Sequence, residues 1–80
     1  MRERNRKSDK IIIEDALKHI YDFEHKKLDS TSDSLAGNLQ IRKRASSDLI
    51  DKLLQLKLIT KFQEKISLTE NGRSYALKVI

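Results

Sequence analysis

Eighty residues, 17 of them basic and 12 acidic, carry a formal net charge of +5 with no cysteine and no proline. A chain of this length buries only about 60% of the surface its unfolded form exposes, so it holds one small core. Without cysteine it has neither a disulfide framework nor a thiolate metal site, as suits a reducing cytoplasm, and no apolar run outlasts Ile11-Ile12-Ile13, far short of the roughly 20 residues that cross a bilayer.

Residues 1–9 are polar and unpatterned, a basic flexible arm. Within residues 1–10, Arg2, Arg4, Arg6, Lys7 and Lys10 outweigh Glu3 and Asp9. Such an arm has three readings: it reaches into a minor groove, lies beside a membrane, or is a solvated tail. From residue 10 to residue 80 the pattern is that of a folded domain. Ile13, Leu17, Ile20 and Tyr21, with Ala16 beside them and Phe23 at the edge, form a 3.6-residue stripe. That stripe predicts an amphipathic helix over 9–27, capped by Ser8 or Asp9 and closed by Lys26 and Lys27 at its negative end.

Leu28-Asp29-Ser30 makes a turn, and Ser30-Thr31-Ser32-Asp33 reads as a capping box with Asp33 in the acceptor position. A second helix over 31–39 buries Leu35, Ala36 and Leu39, with Gln40-Ile41 as the turn after it. A third helix over 43–56 places Ala45, Leu49, Ile50, Leu53 and Leu54 on the core side and Arg44, Ser47, Asp48, Asp51, Lys52 and Gln55 outside. It closes without glycine: Lys57 sits where a left-handed residue is easiest, so either Lys57 accepts that conformation at about 1–2 kcal/mol or the helix ends differently. Two β-like runs follow, Leu58–Phe62 and Lys65–Leu68, separated by only Gln63-Glu64, too little for anything but a tight hairpin. No Gly, Asn or Asp eases that turn, and a slightly longer loop is the alternative. Thr69 caps a last helix with Tyr75, Ala76, Val79 and Ile80 as its apolar positions. Gly72 falls at its third residue after the cap, a costly choice unless another backbone comes close. The pattern stops at Ile80 in mid-helix, which predicts further chain beyond it.

The order helix, helix, helix, hairpin, helix predicts a mainly α fold with a small β-hairpin: a winged helix-turn-helix of three helices, a two-stranded wing and a C-terminal helix. The second helix of such a motif is the one that enters a DNA major groove.

Ile20-Tyr21, Leu35-Ala36 with Leu39, Leu58-Ile59, and Leu68-Thr69 with Gly72 and Ala76, taken in order at these spacings, resemble the N-terminal domain of the diphtheria toxin repressor and manganese transport regulator family. The likeness covers about residues 11–80. Asp15-Ala16-Leu17-Lys18-His19-Ile20-Tyr21 and Gly72-Arg73 with Tyr75-Ala76-Leu77 are closest to family domains fused to metal-uptake ABC permeases, where they form a cytoplasmic tail. The resemblance implies a DNA-binding domain of a manganese- or iron-dependent transcriptional regulator, with a metal-binding and dimerisation domain expected after residue 80. The partners it implies are double-stranded DNA and a second copy of the chain, paired through the missing C-terminal residues. It places one metal ligand at Asp15, six residues before Tyr21, while the second helix-one carboxylate of that pattern falls on Lys18. The remaining ligands would lie beyond the chain, so no cofactor is expected within it. The alternative it raises is a cytoplasmic regulatory module attached to a membrane transporter.

Arg42-Lys43-Arg44 is the sharpest feature of the residues themselves. At a helix N-terminus cations are disfavoured by about 0.3–1 kcal/mol each, and stability alone favours an acid or a Ser/Asp cap there. An arriving phosphate reverses that preference, and arginine forks onto a guanine edge. Ser46, Ser47 and Asp48 follow on the same helix as further candidate DNA contacts. Asp48 accepts from a cytosine amine or pairs with Arg44 four residues earlier, the second being the simpler reading. Thr31 and Ser32 offer amides and hydroxyls to phosphate, or simply cap their helix. Lys61 and Lys65 belong to the wing, offset by Glu64. His19 lies four residues after Asp15, on one helical face with it and read as surface-exposed; two such groups do not complete a metal site. His25 has no evident partner. No glycine-rich phosphate loop and no strand-turn-helix nucleophile site appear, so the chain reads as a binding module and not an enzyme.

Overall fold

In the computed structural model, which describes residues 9–79, the element order is α1 Asp9–His25, α2 Ser32–Leu39, α3 Lys43–Gln55, β1 Ile59–Phe62, β2 Lys65–Leu68 and α4 Glu70–Val79. This is the winged helix-turn-helix arrangement. The basic arm, save Asp9 at the start of α1, and Ile80 lie outside the described residues.

One core joins every element. Ile13, Ala16, Leu17 and Ile20 from α1 meet Leu35 from α2, Leu49, Ile50 and Leu53 from α3, Ile59, Ile66 and Leu68 from the hairpin, and Ala76 from α4. Tyr21, Leu39, Ile41, Leu54 and Tyr75 pack half-buried at its rim. The helical stripe of α1 therefore faces inward as its spacing requires. The inward face of α3 holds Leu49, Ile50 and Leu53 as expected, but its first turn departs: Ala45 is exposed and Ser46 is fully buried.

α1, α2 and α3 all end in the same way. Lys27, Gln40 and Lys57 each adopt a left-handed conformation, at φ 59°, 57° and 62°. The apolar residue after each donates its N–H back across the last turn: Leu28 to the Phe23 carbonyl, Ile41 to Ala36 and Leu58 to Leu53, at 2.8–3.0 Å. These paired bonds satisfy carbonyls the helix leaves open. Neither glycine of the chain is used for this purpose.

The hairpin is antiparallel, with Ile59 opposite Leu68, Thr60 opposite Ser67, Lys61 opposite Ile66 and Phe62 opposite Lys65. Gln63 takes φ 56° at the first central position of the two-residue turn, matching a positive-φ hairpin turn. Gly72 explains itself here. A Cβ at this position would overlap the Leu58 carbonyl oxygen, with the Leu58 carbonyl carbon at 2.9 Å and Leu68 Cδ2 at 3.2 Å. α4 crosses the start of the wing too closely for any side chain. Thr69 caps α4, its Oγ1 accepting from the Gly72 N–H at 3.0 Å and donating to the Lys57 carbonyl at 2.8 Å.

Glu24, which no pattern singles out, locks the hairpin to two helices. Its Oε2 accepts from the Leu68 N–H at 2.9 Å, and its Oε1 accepts from Arg73 Nη2 at 2.8 Å. One carboxylate near the end of α1 thus holds the last residue of β2 and the first turns of α4.

Candidate nucleic-acid interface

The helix-turn-helix is set by a cap and a clamp. Thr31, not Ser30, is the N-cap of α2: its Oγ1 accepts from the Ser34 N–H at 3.1 Å, while Ser34 Oγ accepts from the Thr31 N–H at 2.9 Å. The capping box lies one residue later than expected, with Ser34 in place of Asp33. Ser30 is drawn away from the helix into a β-bridge with Ile66, donor Ile66 N–H to Ser30 carbonyl at 2.8 Å. Ser30 is buried there.

The clamp is Ser46. Its Oγ donates to the Ser32 carbonyl at 2.8 Å and lies 3.3 Å from Ser32 Oγ. Ser46 is fully buried and so does not face a groove as expected. Its role is to fix the first turns of α3 against the start of α2.

That places the basic triplet. Arg42 is the N-cap residue of α3, extended at φ −72° and ψ 157°, with no side-chain cap bond and no acid in the first turn behind it. Arg42, Lys43 and Arg44 are all exposed. Lys43 reaches Asp33 of α2 at 3.7 Å, an exposed pair worth about 0–1 kcal/mol that leaves the cation open to a stronger partner. Ser47 and Asp48 are exposed on the same helix. Among the described residues no ion pair joins Arg44 to Asp48, so the simpler reading of that aspartate is not what the structure adopts.

The wing approaches the same region through the Ser30 bridge. Ile66 pairs with Ser30, two residues before the Ser32 that Ser46 clamps, and Lys65 reaches Asp29 at 3.6 Å. Lys61 and Lys65 are exposed on the two strands. Arg42–Arg44, the Thr31–Ser32 segment and the wing are thus tied to one short stretch of backbone, residues 29–32. Thr31 and Ser32 are half-buried with their side chains engaged in cap and clamp.

The metal expectation has a different neighbourhood. Asp15, half-buried, lies 3.7 Å from Lys18 Nζ. It lines a cleft of about 440 Å³ with Lys18, His19, Asp22, Asn38, Leu39 and Gln40. Among the described residues no group of three His, Asp or Glu stands close enough to hold an ion. His19 is buried, contrary to its reading as a surface residue, with Nε2 3.3 Å from Ser34 Oγ and its ring centroid 4.2 Å from that of Phe23. Burial pushes its imidazole below the ordinary value, an effect partly opposed by the Asp22 carboxylate. His25 stacks on Tyr21 at 4.8 Å. None of the described helices is long and apolar enough to cross a membrane.

Solved structures share this arrangement. MepR, a transcription regulator of the Staphylococcus aureus multidrug efflux pump MepA, superposes with a TM-score of 0.74 at 25% identity, covering 84% of this chain and 50% of that one. A MepR variant from a multidrug-resistant clinical isolate of S. aureus gives 0.75 at 24% identity, over 85% and 52%. The MarR family protein Rv2887 of Mycobacterium tuberculosis gives 0.72 at 17% identity, over 86% and 50%. The chain spans about half the length of these structures. No family model and no curated protein sequence matches it. The likenesses carry the winged-helix fold of transcription regulators; they do not carry the narrower assignment to the diphtheria toxin repressor family or its metal dependence.

Proposed function

We propose that this chain is the DNA-binding module of a transcriptional regulator, with α3 entering the major groove by its first turn. The observation that carries this reading is the start of α3, where Arg42, Lys43 and Arg44 stand exposed on a helix N-terminus that lacks a side-chain cap and an acid. Isolated, that arrangement opposes the macrodipole; with a phosphate or a base edge in front of it, the N–H groups and the cations act in the same direction. The similarity to MepR, itself a transcription regulator, supports the same reading.

In this reading Arg42, Arg44 and the neighbouring Ser47 and Asp48 face base edges. Lys43, Lys61 and Lys65 take phosphates, and the segment Thr31–Ser32 adds a backbone contact at the start of α2. Ser46 positions α3 without touching DNA. Two copies, joined through residues outside 9–79, would read two half-sites. Manganese or iron control would require ligands outside the described residues to join Asp15.

Asp48 and Asp51, both exposed on α3, favour a second reading: the same fold as a cytoplasmic regulatory module on a metal transporter, with little DNA affinity. Fluorescence anisotropy with a labelled mixed-sequence duplex separates the two. The first reading expects binding at low salt that falls steeply as salt rises. No binding by a dimeric full-length protein at low salt would leave only the second.

A further inference from the structure

Phe62 is the largest apolar side chain left in solvent, 73% exposed at the end of β1. The register explains why. Ile59, Ile66 and Leu68 lie on the inner face of the hairpin and are buried, whereas Thr60, Phe62, Lys65 and Ser67 share the outer face and are exposed. The ring therefore contributes nothing to the core. On that face it stands opposite Lys65, whereas Lys61 belongs to the other face, opposite Ile66. A bare aromatic ring beside a cation is a poor solvated surface and an aggregation risk for a strand end. It is a good match for one ligand class. Base pairs offer apolar faces once a step is opened, and a phosphate beside the step meets the Lys65 ammonium.

Position supports this match. The Ser30–Ile66 bridge and the Ser32–Ser46 clamp hold the wing and the first turns of α3 on one backbone segment.

We propose that Phe62 is an apolar wedge that enters the DNA minor groove next to the α3 site and partly unstacks a base step, with Lys65, its cross-strand partner, on a neighbouring phosphate. This rests on the DNA-binding reading above. It makes Phe62 a specificity-determining residue, because flexible pyrimidine–purine steps open at least cost.

The test uses the full-length protein and mixed-sequence duplexes, one set fluorescein-labelled for anisotropy and one carrying 2-aminopurine at successive adenines. Phe62→Ala should weaken binding by about tenfold, as expected for loss of one aromatic–base contact, while the slope of log affinity against log salt stays unchanged. Lys65→Ala should also weaken binding, but with the slope lowered by about 0.9. Wild-type protein should brighten the 2-aminopurine duplexes; Phe62→Ala should not, and Phe62→Leu should retain most of the signal. Thermal melting of Phe62→Ala should match the wild type, since the ring is outside the core. If Phe62→Ala binds as tightly as wild type while Arg42→Ala does not, the wedge is wrong and the DNA reading stands. Loss of self-association in Phe62→Ala with unchanged DNA affinity would assign the ring to a protein contact and also overturn it. If wild type binds no duplex at low salt, both proposals fail together.

Discussion

The Ser46 hydroxyl donates a 2.8 Å hydrogen bond to the Ser32 carbonyl, and that bond joins the two helices of the helix-turn-helix. The Ser32 carbonyl also belongs to the first turn of α2, so removing the buried Ser46 hydroxyl takes away an added bond and does not strand the acceptor. Ser46→Ala should cost about 0.5–1.5 kcal/mol, the net contribution of a typical intramolecular hydrogen bond, read from urea denaturation. DNA affinity should fall moderately with the salt slope unchanged. A Ser46→Ala protein with wild-type stability and lost DNA binding would instead make Ser46 a direct contact.

Glu24 is the second polar bond that the fold depends on. Its carboxylate holds the Leu68 N–H and Arg73 together, and hydrogen bonds to charged groups contribute about 1.5–3 kcal/mol. Its side chain is 27% exposed, so solvent screening puts the effect at the low end of that range. Glu24→Ala should speed hydrogen exchange at the Leu68 amide far more than at amides of α3. Uniform exchange across both elements would mean that the carboxylate does not anchor the wing.

His19 gives the fold a pH dependence. Its folded-state pKa lies below the ordinary value because burial disfavours the cation. As pH falls through about 6.5, where unfolded histidine titrates, the unfolded chain takes up more protons than the folded one, and stability drops. The loss is complete once pH passes below the lowered folded-state value. Urea denaturation at a series of pH values should show this decline in wild type and a flatter profile in His19→Gln. Parallel profiles would assign the decline to carboxylates instead.

Lys57 and Gly72 are a pair of opposite backbone cases. Lys57 sits at φ 62°, which costs a non-glycine residue about 1–2 kcal/mol. Replacing it by glycine also adds about 0.5–1 kcal/mol of unfolded-state entropy. Lys57→Gly should therefore raise stability slightly, by up to about 1 kcal/mol on balance. Gly72→Ala should lower it by about 1–3 kcal/mol, because its Cβ meets the Leu58 carbonyl. Thermal melts of the two variants should move in opposite directions; a shift in the same direction would contradict the close crossing of α4 and β1.

Much of the fold was readable from the residues because burial has a period. Ile13, Leu17 and Ile20, and likewise Leu49, Ile50 and Leu53, repeat at helical spacing and are buried. Gly72 and Lys57 were also readable, since each breaks a local preference and so signals a tertiary cause. The parts that were not readable depend on a polar group finding a distant partner. Ser46 takes the interior place expected of Ala45 because its hydroxyl bonds the Ser32 carbonyl, whereas hydropathy ranks alanine first. The cap moves from Ser30 to Thr31 because Ile66, far along the chain, claims the Ser30 carbonyl. Glu24 lies 49 residues from Arg73, and no local pattern links them. His19 is buried by the start of α2 and by Phe23, neither visible in its spacing from Asp15. The one repeated signal that could have been found is a polar residue followed by an apolar one at each helix end: Lys27-Leu28, Gln40-Ile41 and Lys57-Leu58. The exposed place of Arg42, Lys43 and Arg44 at an uncapped helix start was legible as a sequence choice that helix stability alone opposes; their contact with DNA is the proposal.

The start of α3 is therefore where the account is most exposed to test. The direct measurement is the salt dependence of duplex binding for wild type and for the Arg42→Ala/Arg44→Ala double variant, by anisotropy. Both residues are exposed, so the variant should fold as wild type does. Because Arg42 and Arg44 are assigned to base edges, the variant should bind far more weakly while its slope shrinks by less than the about 1.8 that two lost phosphate contacts would give, at roughly 0.9 each. A double variant with unchanged affinity and unchanged slope would contradict the assignment of α3 as the DNA-reading helix.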